Sequence, residues 1–207
     1  EVRKTGPGIW IFSAANAWRG VTRVNEGTLR VNGSLTSAAL TVLAPARLGG
    51  TGTISAPTTT SGTLAPGASP GTITFTSSLA FADASRIEWE LPANADEGAD
   101  RVAAAAVNIA AGARIDLVFN APGSTVDFLD RFWREPRSWP VLTSTSLSGA
   151  LQLGDISADS HGRAVGGLGG FTLQHAPAGV TLIWTPIPGP AWFGDWQDLT
   201  WPGVTNE

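Results

Sequence analysis

The sequence predicts an all-β chain wound as a right-handed, single-stranded parallel β-helix, with a β-sandwich as the competing architecture. Three features predict it: short runs that alternate apolar with polar residues, turn-forming clusters between them, and a repeat spacing near 19 residues. Strand-like runs recur at residues 8–12, 21–24, 28–31, 40–42, 72–75, 86–91, 114–119 and 180–184. In the run at 86–91, Ile87, Trp89 and Leu91 share one face, while Arg86, Glu88 and Glu90 share the other, which is the mark of a strand with one buried side. Trp10, Trp89 and Trp184 lie inside such runs and are expected to be core or coil-edge anchors. The Ala-rich run at 102–111 fits a helical turn or a strand about equally well.

Gly, Asn, Pro and Ser clusters at 31–34, 48–52 and 65–71 supply the turns. Leu29 and Leu48 stand 19 positions apart in similar strand-and-glycine units, and so do Ile54 and Ile73. Such a period favours stacked coils over a sandwich. For 207 residues it predicts on the order of ten coils climbing roughly 4.8 Å each, a rod roughly 50 Å long.

Composition narrows the function. Hydrophobic residues make up 43% of the chain and charged residues only 14%, with 25 Gly and 14 Pro, so Ser, Thr, Asn and Gly must cover the surface. That suits an extracellular β-protein. The net charge of -4, with Lys and Arg scattered, leaves no basic stripe for phosphates, and nucleic acid is not an expected partner. The absence of Cys excludes disulfides and thiolate metal sites. No apolar run approaches the ~18 residues of a membrane helix, so no membrane insertion is expected of this segment. The chain lacks Met and opens Glu1-Val2-Arg3-Lys4, which reads as a mature product or an excised fragment.

The particular strings carry more. Lys4-Thr5-Gly6-Pro7-Gly8-Ile9-Trp10-Ile11-Phe12-Ser13, followed by Asn16-Ala17-Trp18-Arg19-Gly20-Val21-Thr22-Arg23-Val24 and Glu26-Gly27-Thr28-Leu29, resembles the autotransporter-associated β-strand repeat. Trp18 stands where that family usually has Tyr, and Ala15 where it usually has Gly. Leu48-Gly49-Gly50-Thr51-Gly52-Thr53-Ile54 and Leu64-Ala65-Pro66-Gly67 with Ser69-Pro70-Gly71-Thr72-Ile73 are similar to its downstream pieces. The resemblance is close from residue 4 to about 91 and weaker beyond. It implies a parallel β-helix in a passenger or large surface protein, secreted or held at the bacterial cell surface near the outer membrane, and it implies no catalytic set.

On this reading residues 1–185 form the β-helix, with a loop insertion at about 122–140, and residues 186–207 form a Pro- and Trp-rich cap or linker. The expected role is structural or adhesive, an extended scaffold or display stalk rather than an enzyme. A polysaccharide-binding or polysaccharide-cleaving β-helix is the alternative. Its best site would gather Asp127, Asp130, Glu135, Arg131, Arg134 and Arg137 around Trp133 and Trp139. Ser160, His161 and nearby Asp155 and Asp159 make a nominal triad without a nucleophile elbow, and a polar loop is the simpler account. Asp96, Glu97 and Asp100 form an acidic loop without calcium-motif spacing, so no metal and no cofactor is expected. Trp133, Trp139, Trp192, Trp196 and Trp201 fall in turns or loops, where an indole can meet an extracellular glycan or protein partner. Open solenoid ends also offer strand edges for self-association.

Overall fold

The computed structural model describes residues 1–67 and 70–187, and they form a parallel β-solenoid. The predicted tail, with Trp192, Trp196 and Trp201, lies outside the described residues. Each early coil has three short strands. The first coil runs through Val2–Lys4, Ile9–Phe12 and Ala15–Ala17, and the second repeats them as Thr22–Val24, Thr28–Val31 and Ser34–Thr36, all paired in parallel. From Thr72–Phe81 onward, the strands of two faces fuse into one long strand that bends at a register shift between Phe75 and Ser78. A bulge of this kind sharpens the local bend, so the corner persists without a break in the strand. The result is one 7-stranded sheet and one 12-stranded sheet wrapped round a common core.

The core is built of ladders. On the seven-stranded sheet Leu29, Leu48, Leu64, Ile87 and Ile115 follow one another in register, each at most 1% exposed. Burying such a side chain contributes roughly 1.5–3 kcal/mol, and coil-to-coil main-chain hydrogen bonds satisfy the backbone. Ile87, Trp89 and Leu91 point inward and Arg86, Glu88 and Glu90 outward, as the alternation predicts. The Ala-rich run is strand Arg101–Ile109.

Two expectations about the repeat need correction. Ile54 stacks on Phe75, not on Ile73, which pairs with Val102. A slip of two residues keeps the same face inward, so both Ile73 and Phe75 are buried and the sequence pattern conceals the slip. Coil length also grows. Arg86 pairs with Arg114, 28 positions on, and Arg114 with Gln152, 38 positions on. The seven-stranded sheet is therefore roughly 30 Å along the axis, shorter than ten even coils would make it.

The two ends differ. At the first coil, Ile9, Trp10 and Ile11 are 56%, 41% and 54% exposed, because no described strand lies beyond them. Of the two places expected for Trp10, core or coil edge, it takes the edge, with Lys4 Nζ 5.9 Å from its ring centroid. At the other end, parallel stacking stops at Arg137–Ser148, against which the antiparallel hairpin Gly169–Ala176 and Gly179–Pro186 is laid. Within 122–140 the chain makes the 3-10 turn Arg131–Arg134 and then enters the sheet at Arg137.

Candidate functional site

The charged loop and its tryptophans form a plug. Trp133, Trp139 and Trp184 are at most 2% exposed and pack with Trp89, Phe119, Phe128 and Phe171 at centroid separations of 4.8–6.2 Å. Their indole N–H groups are satisfied inside: Trp133 donates to Asn94 Oδ1 at 2.9 Å, Trp139 to the Ala95 carbonyl at 3.1 Å and Trp184 to the Trp133 carbonyl at 2.8 Å. Trp133 and Trp139, expected as loop residues open to a partner, are therefore core residues, though Trp139 also lines a cavity with Asp96, Glu97 and Arg101. The sequence marks both tryptophans as loop residues but cannot show that the loop folds over the end of the solenoid.

The neighbouring charges hold this loop down. Asp130 caps the 3-10 turn by accepting from the Phe132 amide at 2.7 Å. Arg137 donates to the Phe132 carbonyl at 3.0 Å, pairs with Asp96 at 3.1 Å and lies 4.3 Å from the Phe132 ring centroid. Asp127 accepts from the Leu129 amide and from Arg163. Asp127, Asp130 and Arg137 are thereby engaged within the loop and its neighbours.

His161 and its neighbours are a second lock. Asp159 is buried and accepts from the amides of Phe128, His161 and Arg163 and from the Arg163 side chain, all at 2.9–3.0 Å. Burial alone raises a carboxyl's pKa, but these hydrogen bonds outweigh it and hold Asp159 below the usual carboxylate range. Ser160 Oγ donates to the Val126 carbonyl at 2.6 Å and lies 3.2 Å from His161 Nδ1. Ligand atoms of Asp127, Asp159 and His161 come within 4.8 Å of one another, but Arg163 bridges the two carboxylates, and a cation would have to displace it. The acidic loop does not converge either: Asp96 faces Arg137, while buried Asp100 accepts from the Gly71 amide at 2.8 Å and the Glu90 amide at 3.1 Å. Burial pushes the Asp100 carboxyl up to about 8, against the pull of those two amides.

The repeat motif itself explains Lys4. Its side chain is 1% exposed, and its ammonium donates to the carbonyls of Thr5 at 3.2 Å, Gly6 at 2.5 Å and Glu26 at 3.1 Å, with the Trp10 ring centroid 5.9 Å away. Gly27 must be glycine. Its φ is +66°, and a Cβ there would stand 2.4 Å from the Gly8 carbonyl oxygen and 2.7 Å from Lys4 Nζ. Lys, Gly and Trp of the motif thus stitch the first coil to the second through one caged cation.

The outer surface is unevenly charged. One face of the larger sheet presents in register Ala15, Ser34, Thr53, Thr74, Ala103 and Thr143. The seven-stranded sheet carries Arg30, Arg47, Arg86, Glu88, Glu90, Arg114 and Asp116. Its outer face holds a cavity of about 270 Å³ lined by Arg30, Arg47, Gly49, Ala65, Glu90 and Pro122, among others. Sequence reasoning missed this place, because its lining residues come from five successive coils.

Stacked parallel coils with a caged-lysine turn define a β-helix of repeat type. Residues 2–31 match the family model of the passenger-associated-transport-repeat, as the resemblance in the sequence predicts. No curated protein matches the chain.

Proposed function

We propose that this chain is a scaffold segment of a secreted or surface-displayed bacterial protein, extending or presenting other parts of that protein without catalysing a reaction. The observation that carries the reading is the match to a passenger-associated-transport-repeat at residues 2–31, on the same strands that make the first coils of the stack. The additive logic of a solenoid, in which each coil rests only on its neighbours, suits an extended stalk. The structural employment of Asp127, Asp159, Ser160 and Arg163 supports a non-catalytic role. An adhesive function, with an extracellular glycan or protein as partner, belongs to the same reading. Self-association through solenoid ends is a further element of it.

Protease shaving of intact cells that make the protein tests this reading. Peptides of this chain are expected in the supernatant of unbroken cells. Their recovery only after lysis overturns surface display.

A further inference from the structure

We propose that the cavity on the outer face of the seven-stranded sheet binds a carboxylate-bearing sugar ring, with Arg30 pairing the carboxylate and Glu90 taking a ring hydroxyl. The inference goes beyond the scaffold reading and supplies the ligand class that an adhesive stalk would meet.

The cavity exists because of missing side chains. Along one outward column Arg30 pairs with Gly49, and Gly49 with Ala65, so two successive rungs carry no more than a methyl group. Gly49 is held to that size: a Cβ would stand 2.6 Å from the Ala65 carbonyl oxygen. Ala65 and Pro122 stand at the cavity wall beside the polar Arg30, Arg47 and Glu90, and the volume of about 270 Å³ is near the lower limit of small-ligand sites, the scale of one ring. A pyranose offers C–H groups to Ala65 and Pro122 and hydroxyls to the polar rims.

The rims carry unspent polar groups. Arg47 is engaged by Glu88, its two terminal guanidinium nitrogens each meeting one carboxylate oxygen. Arg30 makes no ion pair or hydrogen bond through its side chain among the described residues, while buried Leu29 and Val31 on either side fix its root. A guanidinium in this state presents a planar fork that matches a carboxylate. The Glu90 carboxyl likewise accepts no hydrogen bond among the described residues. Partial burial raises its pKa, with Arg47 opposing the rise and Glu88 adding to it.

Titration calorimetry of the full chain at about pH 6 tests the proposal, with digalacturonate as probe and its methyl ester as the uncharged control. The expected result is saturable binding of the acid, weakened roughly tenfold or more for the ester and for Arg30→Met, as loss of a charge-assisted pair requires. An unchanged thermal midpoint shows that Arg30→Met is folded, and Glu90→Gln keeps the preference for acid over ester. No saturable heat with the parent, equal binding of acid and ester, or undiminished binding by folded Arg30→Met overturns the site. None of these results bears on surface display, which the shaving experiment decides by itself.

Discussion

The indole of Trp184 donates its N–H to the backbone carbonyl of Trp133 at 2.8 Å, and both side chains are at most 2% exposed. One hydrogen bond thereby joins the closing hairpin to the loop that fills the end of the solenoid. Around it, Trp133 and Trp184 meet edge to face at 5.4 Å, and Phe171 from the hairpin lies 4.8 Å from Trp184. The plug converts an end with exposed edges into a second small core.

Trp184→Ala should therefore cost about 3–5 kcal/mol, the range for removing a large aromatic side chain from a core. Trp184→Phe should cost less but leave the Trp133 carbonyl unpaired. Urea unfolding followed by tryptophan fluorescence measures both. A loss below about 1 kcal/mol for Trp184→Ala would mean that the hairpin does not close the core.

Lys4→Met keeps the length of the side chain and removes the cation from its ring of carbonyls. The expected loss is about 2–3 kcal/mol, since hydrogen bonds to a charged group are worth more than neutral ones and three carbonyls lose their partner. Hydrogen exchange should localise the loosening to residues 2–31. Uniform exchange along the chain, or no loss of stability, contradicts the stitch.

Leu29→Ala and Ile73→Ala, both in ladders, should each cost about 2–5 kcal/mol, whereas Arg30→Ala and Thr74→Ala on the outward face should change stability by less than about 0.5 kcal/mol. Chemical denaturation midpoints of the four variants decide whether inside and outside are assigned correctly.

Asp100 makes stability fall as pH rises. Its folded pKa is raised to about 8 by burial, above its value in the unfolded chain. Its contribution is thus full below the unfolded pKa of ~4 and is lost as pH climbs through the folded one, at a slope of up to ~1.4 kcal/mol per pH unit. Asp100→Asn should lower stability by about 1 kcal/mol near pH 4, where an amide group cannot accept from both the Gly71 and Glu90 amides. It should also flatten the decline between pH 4 and 8. Thermal midpoints of parent and variant across that range test this, and parallel curves contradict it.

Much of the fold is legible in the sequence because a ladder has to repeat its apolar letter. Leu29 and Leu48 show the early spacing and are neighbours in register. The later lengthening is not legible, since parallel pairing constrains the strands while the segments between them can grow at little entropic cost. Lys4 illustrates the same limit at a site. The motif displays its letter, but the Glu26 carbonyl that completes its cage comes from the following coil. The Arg30 cavity was hidden for a further reason: what makes it is the smallness of Gly49 and Ala65, which in sequence reads only as turn chemistry.

In-register stacking of one coil on the next is the central claim, and an engineered cross-link measures it directly. Thr41 and Thr59 are register partners on adjacent coils, and the chain has no Cys to interfere. Neighbouring strands lie ~4.8 Å apart, a separation that a disulfide tolerates. Thr41→Cys with Thr59→Cys should cross-link nearly completely under mild oxidation. Thr41→Cys with Asn108→Cys, three rungs apart along the same column, should remain reduced as monomer. Failure of the first pair to close, or equal closure of both, would contradict the solenoid.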